Sequence, residues 1–411
     1  MDGSGTLIRV GTAADWPAIS WLLGRAFHHT PTPAERDVEG SVFEPTRSLV
    51  VEDAGSVVGH AAAYTRDLTV PGAVVPAAHV TQVGVAPTHR RRGLLTQLMH
   101  RQLGEVAAAG REPIAVLWAS ETKIYPRFGY GPAASRLRMT IMTREITLPP
   151  SADGTGRLRL ADPLTALPEL TQVYEQLRPE RTGWSSRDER WWRFVLSDLE
   201  SQRDGGTALH CVLRETAGRP TGYALWRTKS GWNNHGPDGE VQIREVVAAD
   251  PETYLALWRF LLTLDLARTA SVGFAAVDEP LLYLVDEPRR LGSNLGDALW
   301  IRIVDLPRAL TARRYSAPLD VVFAVTDPLL GANTGRWRLT AHASEPATCT
   351  RTDDAADLEC TVLELGTIYL GAVSPAALAA AGTVQELTPG AVQAVATAFR
   401  WHRLPNPTEV F

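Results

Sequence analysis

Cysteine is scarce in this sequence: Cys211, Cys349 and Cys360 are the only three in 411 residues. An odd number with no C-x-x-C spacing argues against a disulfide framework and against a thiolate zinc site, and makes a reducing cytoplasm the expected compartment. Excess positive charge is missing too. The formal net charge is -5, with 41 Lys+Arg against 46 Asp+Glu, so no dominant nucleic-acid surface is expected, and a cationic partner suits the chain better. Met1 to Arg9 carries no apolar stretch of signal-peptide length, and no run of about 18 apolar residues occurs, so neither export nor a membrane span is predicted. His28-His29 lacks a third ligand at metal spacing, so it reads as a loop or pocket wall and no metal is predicted.

What is present is a globular composition, 45% hydrophobic and 21% charged, in a chain long enough for two or three domains of about 100–200 residues. A helix is expected after Asp15, then a loop rich in proline and acidic residues from Pro31 to Glu44. Glu35, Asp37 and Glu39 in that loop read mainly as solvated charge. Strands are expected over Ser48–Val51, Ser56–Thr65 and Ala78–Val85, a helix from about Gly93 to Ala109, and a buried strand over Ile114–Trp118.

Sliding the sequence against itself by 163 positions reveals a faint repeat. Asp53-Ala54-Gly55 and Gly59 fall on Thr216-Ala217-Gly218 and Gly222, and Val83, Ala86, Leu94 and Leu98 fall on Val246, Ala249, Leu257 and Leu261. Residues 149–295 are therefore read as a second copy of residues 1–148, joined through Pro149 to Gly156. The tryptophans Trp184, Trp191 and Trp192 are expected in its core. From 296 the pattern changes to an α+β third domain, with strands over Trp300–Val304, Asp320–Val325, Trp337–Thr340 and Leu358–Leu363. Helices are expected over Leu306–Ala312, Pro375–Ala381 and Pro389–Phe399.

The chemistry gathers at Val83-Gly84-Val85-Ala86-Pro87-Thr88-His89-Arg90-Arg91-Arg92-Gly93-Leu94-Leu95-Thr96. A strand ends at Val85 and a helix begins near Gly93. Unpaired amides at a helix start, the helix dipole and neighbouring arginines together make an anion site, and Gly93 lets phosphate approach the backbone. The strand can offer its own amides and carbonyls to an extended, amide-containing arm. In the second copy the corresponding residues are Glu252-Thr253-Tyr254-Leu255-Ala256, acidic and without glycine, so no nucleotide is expected there.

The spacing Arg90-x-x-Gly93-x-Leu95 after Ala86-Pro87 resembles the pyrophosphate loop of the GCN5-related N-acetyltransferases (GNAT), although a small residue is commoner in that family than Leu95. Ile124-Tyr125-Pro126-Arg127-Phe128-Gly129-Tyr130 resembles the same family's tyrosine segment. Together with Ser120-Glu121, the whole string resembles the enhanced-intracellular-survival (Eis) acetyltransferases. That resemblance implies tandem GNAT folds, the second degenerate, followed by a sterol-carrier-like α+β domain. It also implies acetyl-coenzyme A held by residues 83–85, 90–96, Ser120 and Glu121, and a homohexamer.

By the same resemblance the acceptor is an amine of an aminoglycoside-like polycation, acetylated at one or several positions, an activity associated with antibiotic resistance; the alternative acceptor is a protein or peptide lysine. Tyr125 would act as general acid on the departing thiolate. The carboxylate of the last residue, Phe411, would act as general base, with Glu409 as the alternative proton acceptor or as an attractor of the substrate cation. Amides near Val83 to Val85 would polarise the thioester carbonyl. The rival from another class is a non-enzymatic coenzyme A sensor whose third domain holds an apolar ligand. Retention of Arg90, Gly93 and Tyr125 in one copy only favours catalysis.

Overall fold

The computed structural model describes residues 6–150, 156–342 and 345–411; residues 151–155, within the segment expected to join the copies, lie outside it. The chain forms two compact units. One comprises the first 134 residues, 298–402 and the last two residues; the other comprises 135–297 and 403–409.

The first unit is built on a seven-stranded sheet. Its early strands are β1 (Leu7–Val10), β2 (Ser48–Asp53), β3 (Ser56–Val70), β4 (Ala73–Val85) and β5 (Ile114–Trp118). They pair in that order, antiparallel except for β4 against β5, and strand Leu299–Ile303 then closes the far side of β5. The β2–β3 hairpin turns through Ala54 and Gly55, both at positive φ (48° and 77°), a combination that suits glycine at the second position. In the other unit Ala217 and Gly218 turn with φ of 51° and 76°. The repeat read from the sequence is thus a repeat of backbone geometry.

Three helices serve the first sheet: α1 (Trp16–Ala26), α2 (Pro33–Val42) and α3 (Leu94–Ala109). The expected loop between Pro31 and Glu44 is instead largely α2. Its start is a capping box, in which Thr32 Oγ1 accepts from the Glu35 amide and the Glu35 carboxylate accepts from the Thr32 amide, with Pro33 at the first helical position. On one face of the sheet α3 buries Leu94, Leu98, Met99 and Leu103. On the other face Ile19 and Leu23 of α1 pack with Val50.

That second face is covered near β4 and β5 by the third domain, which has its own five-stranded sheet. Val75, Ala77, Ile114 and Val116 share one core with Leu310, Phe323, Leu365 and Phe399. The strand expected over Leu358–Leu363 stops at Thr361, where a second capping box with Glu364 starts helix Val362–Ile368.

In the second unit, strands Arg219–Lys229 and Gly239–Ala248 pair antiparallel, and Gly239–Ala248 runs parallel to Ala267–Ala275. This is the pattern of β3, β4 and β5. Trp184, Trp191 and Trp192 are buried here. The boundaries drawn at 148/149 and 295/296 follow the linear repeat, whereas hydrogen bonding crosses them. Strand Ser135–Met142, from the end of the first copy, belongs to the second sheet, and Leu299–Ile303, from the start of the third segment, belongs to the first. Each parallel pair leaves one strand with an open side, and a strand beyond the linear boundary fills it.

Arg302 on Leu299–Ile303 donates through Nη2 to both carboxylate oxygens of Asp327 at 2.7 and 2.8 Å, and Asn333 ties Asp327 to the carbonyl of Val304. Both charged side chains are fully buried. Removing one partner strands the other charge. Asp327→Ala should therefore cost about 3–5 kcal/mol in urea unfolding, and a loss below about 1 kcal/mol would contradict this role.

Candidate active site

The site begins where β4 and β5 stop pairing. Their parallel register holds only over Ala77–Ile114, Ala78–Ala115 and His79–Val116, although β4 continues to Val85. The cause is a bulge in β4. Its pairing with β3 shifts between His60–Gly84 and Ala62–Thr81, and Gln82 inside the shift has φ of +53°. Such a bulge bends one strand away from its neighbour, so the sheet forks.

Beyond the bulge the Ala86 amide donates to the Val58 carbonyl on the β3 side at 2.8 Å. Strand alternation then turns the Val85 and Val83 amides toward the fork, while Gly84 faces β3. Fully buried His60 pins the bulge from below: its Nδ1 lies 2.8 Å from the Gln82 carbonyl and its Nε2 3.2 Å from Ser48 Oγ. Burial pushes the imidazole pKa down to about 4. The ring is neutral at neutral pH, with the proton on Nδ1 for the carbonyl and the Ser48 hydroxyl donating to Nε2.

At the end of the fork the chain enters α3 through Arg90, Arg91, Arg92 and Gly93. Arg91 and Gly93 both take positive φ (63° and 78°). A Cβ on Gly93 would meet nothing nearer than 4.0 Å, so the glycine is there for its backbone angle and open approach. All four residues are exposed. Gly93 provides no side-chain cap, which leaves the first-turn amides, including those of Leu94, Leu95 and Thr96, open to a ligand. No carboxylate among the described residues pairs with Arg90, Arg91 or Arg92. Leu94 is buried under the sheet and Leu95 half-buried, so only the backbone of these two faces outward.

The second copy starts its helix earlier in the repeat register, and closes that start. Its helix Pro251–Leu262 is capped by Asp250, whose carboxylate accepts from the Thr253 amide at 2.8 Å and the Thr253 hydroxyl at 2.9 Å. An acid of the chain occupies the anion position. The motif Asp250-Pro251-x-Thr253 was readable in the sequence as a cap.

Tyr125 opens a single 3-10 turn, Pro126–Phe128, and is buried among Val80, Leu103, Leu117 and Phe128, with Val83 and Leu95 against that cluster. Gly129 ends the turn at φ +80°, where a Cβ would come within 2.9 Å of Val362 and 3.0 Å of Arg302. The third domain therefore props the turn that carries Tyr125. Burial raises the Tyr125 pKa, the Ser120 hydrogen bond works the other way, and the Glu121 charge adds to the rise, so the phenol keeps its proton at neutral pH. Ser120 and Glu121 are exposed in the loop after β5.

Phe411 meets β4 from the other side. Its ring lies 4.6 Å from that of His79, edge-on, and Thr81 Oγ1 donates to its terminal oxygen at 2.9 Å. Alternation places Ala78 and Val80, which pack with Tyr125, on one face of β4, and His79 and Thr81 on the other. The Tyr125 phenol and the Phe411 carboxylate thus lie on opposite faces of β4, beside the fork. Sequence reading missed His60, His79, Thr81 and Gln82, since nothing local marks a bulge or a partner that is 330 residues away.

The other acidic candidates fall outside this arrangement. Glu35 is committed to the α2 cap and to His29 at 3.2 Å. Asp37 is exposed. Burial first, then the charge of Glu35, raises the pKa of Glu39. Glu409 is not an open carboxylate, because it is ion-paired to Arg187 at 2.7 Å. Among the described residues no group of three or more His, Cys, Asp or Glu could hold a metal, and no helix is long and apolar enough to cross a membrane.

Comparison with known proteins matches residues 7–133 and 183–303 to acetyltransferase (GNAT) domains and 306–406 to a sterol carrier protein domain. An uncharacterized N-acetyltransferase of Streptomyces avermitilis is 44% identical over 96% of this chain and 97% of its own length. N-acetyltransferase Eis of Mycobacterium tuberculosis is 32% identical over 91% and 92%. The crystal structure of Eis1 from Mycobacterium abscessus superposes with a TM-score of 0.83 at 32% identity, covering 98% of this chain and all of that one. A GCN5-related N-acetyltransferase from Anabaena variabilis shares the fold at a TM-score of 0.85 and 21% identity, over 99% and 100% of the two chains.

The state of His60 gives a test of the bulge. Its folded pKa lies below that of a free imidazole, so between pH 6.5 and about 4 the unfolded chain takes up a proton that the folded chain resists. The stability this group contributes is fully present above pH 6.5 and is lost as pH falls toward 4. The urea midpoint should drop more steeply over that window in the native chain than in His60→Gln, and parallel curves would contradict a buried neutral imidazole.

Proposed function

Because the chain belongs to the Eis-like N-acetyltransferases of the GNAT family, we propose that its first copy transfers acetyl from acetyl-coenzyme A directly to an amine, with Phe411 as base and Tyr125 as acid. The observation that carries this reading is the placement of a carboxylate on Thr81 and a buried phenol on opposite faces of β4, on either side of one fork.

The residues fit the donor. The fork offers the Val83 and Val85 amides to the pantetheine arm and the acetyl carbonyl, and the open start of α3 with Arg90, Arg91 and Arg92 suits a pyrophosphate. Gly93, Leu94, Leu95 and Thr96 contribute backbone, and Ser120 and Glu121 border Tyr125. Bound acetyl-coenzyme A supplies an activated thioester.

An ammonium ion has no lone pair, so the Phe411 carboxylate removes a proton from the acceptor, directly or through water, and the amine attacks the acetyl carbonyl. The two amides stabilise the oxyanion that develops. The C–N bond forms, the nitrogen loses its second proton to water, the C–S bond breaks, and Tyr125 gives its proton to the departing sulfur and regains one from solvent. No covalent enzyme intermediate is required. The three cysteines are buried, and burial pushes Cys211 and Cys349 up to about 12. The acceptor we propose is an aminoglycoside-like polycation carrying several reactive amines, acted on by a hexamer.

Deleting Phe411 alone should lower kcat by about 100-fold or more at an unchanged KM for acetyl-coenzyme A; undiminished turnover would remove the terminal carboxylate from the mechanism. Tyr125→Phe should lower kcat by a similar factor. Thiol release at the native rate across pH would rule the phenol out as acid.

A further inference from the structure

The end of a chain is its least constrained part: no peptide plane follows the last residue, and termini fray unless they are tied down. A base held loosely spends little time in line with the proton it must take. Here the last residue is tied at two points, two residues apart on β4.

The first point is Thr81, whose Oγ1 donates to the Phe411 terminal oxygen at 2.9 Å. One hydrogen bond of this kind stops rotation of the carboxylate about the Cα–C bond, but the residue as a whole could still swing about that contact. The second point is the ring. The Phe411 ring meets the His79 ring edge-on at 4.6 Å between centroids, and it packs, partly buried, against the core that β4 shares with the third domain. An edge-to-face pair has a preferred direction as well as a distance.

The seat is rigid for reasons local to the strand. His79 is fully buried, and its Nδ1 lies 2.9 Å from the Ala77 carbonyl, which fixes the plane of the imidazole. Ladder pairing sets Tyr64 opposite His79 and Ala62 opposite Thr81. Paired side chains share a face, so the short alanine gives the Thr81 hydroxyl little cover from β3. The Thr81–Ala62 pair is also the last before the register shift, so the seat ends where the bulge begins. Val410 is half exposed and provides no comparable anchor, so the ring that holds the terminus is that of Phe411 itself.

We infer that the Phe411 side chain is the positioning group for its own terminal carboxylate, and that His79 and Thr81 form a two-point seat that reads the ring and the carboxylate together. The inference rests on the reading of Phe411 as general base. It adds that a terminal carboxylate alone is not sufficient: the same group on a residue without the ring is a poor base. Thr81 holds one oxygen, and the other is left to take the acceptor proton.

The test uses the full chain with substitutions that keep a terminal carboxylate. Turnover with a polyamine acceptor and KM for acetyl-coenzyme A are measured for Phe411→Ala, Thr81→Val and His79→Gln, the last of which retains a donor for the Ala77 carbonyl. Folding is followed by thermal unfolding. Each substitution should lower kcat by about tenfold or more, as a misplaced catalytic group does, at an unchanged KM for acetyl-coenzyme A. Thr81→Ser, which restores the hydroxyl, should recover most of the loss seen in Thr81→Val. His79→Gln combined with Phe411→Ala should lose no more than Phe411→Ala alone, because His79 acts through the ring.

Native turnover in Phe411→Ala, with turnover lost on deleting Phe411, overturns the role of the ring and leaves the base assignment standing. Losses that multiply in the double variant, or a Thr81→Ser chain as slow as Thr81→Val, overturn the seat. Undiminished turnover on deleting Phe411 overturns the base assignment and this inference with it.

Discussion

The bulge at Gln82 is the constraint on which the rest of the first unit depends. Parallel strands left to themselves would continue their ladder, and β4 and β5 would form an unbroken sheet with no backbone groups to spare. One residue at positive φ ends that ladder after three pairs and leaves the Val83 and Val85 amides facing an opening. Neutral His60 holds the Gln82 carbonyl from below. The fork then leads to the open start of α3, so the groups we assign to the thioester and those we assign to the pyrophosphate follow one another along a single stretch of backbone.

Two copies of this design have diverged in ways that can be read atom by atom. In the first, Gly93 leaves the helix start uncapped beside three arginines that no carboxylate among the described residues pairs; in the second, the helix starts earlier in the repeat register and Asp250 supplies its own carboxylate to the first-turn amides. The third domain is not an appendage to the first copy. It shares a core with the sheet, and it props the Tyr125 turn through Val362 and Arg302, which leave no room for a side chain at Gly129.

Much of this was legible in the sequence, for definite reasons. The arginine loop and the Tyr125 segment are contiguous, so their chemistry survives being read as a string. The hairpin repeat was visible because two residues at positive φ restrict what can stand at Ala54-Gly55 and Ala217-Gly218. Helix α2 was legible and passed over: Thr32-Pro33-x-Glu35 is a capping box, and the acidic residues beside it suggested a loop. The exchange of strands Ser135–Met142 and Leu299–Ile303 was not legible, because pairing partners lie far apart in the chain. The seats of Phe411 on Thr81 and of Glu409 on Arg187 were hidden for the same reason, being set by folding across 330 and 222 residues.

The central claim is that one atom group without a side chain, the terminal carboxylate, takes the proton from the acceptor amine. Its most direct test is semisynthesis of the chain with the Phe411 carboxylate converted to a primary amide, every side chain intact, followed by measurement of acetyl transfer to a polyamine acceptor. The account predicts a fall in kcat of about 100-fold or more with acetyl-coenzyme A bound as tightly as before. Turnover equal to that of the native carboxylate would contradict it.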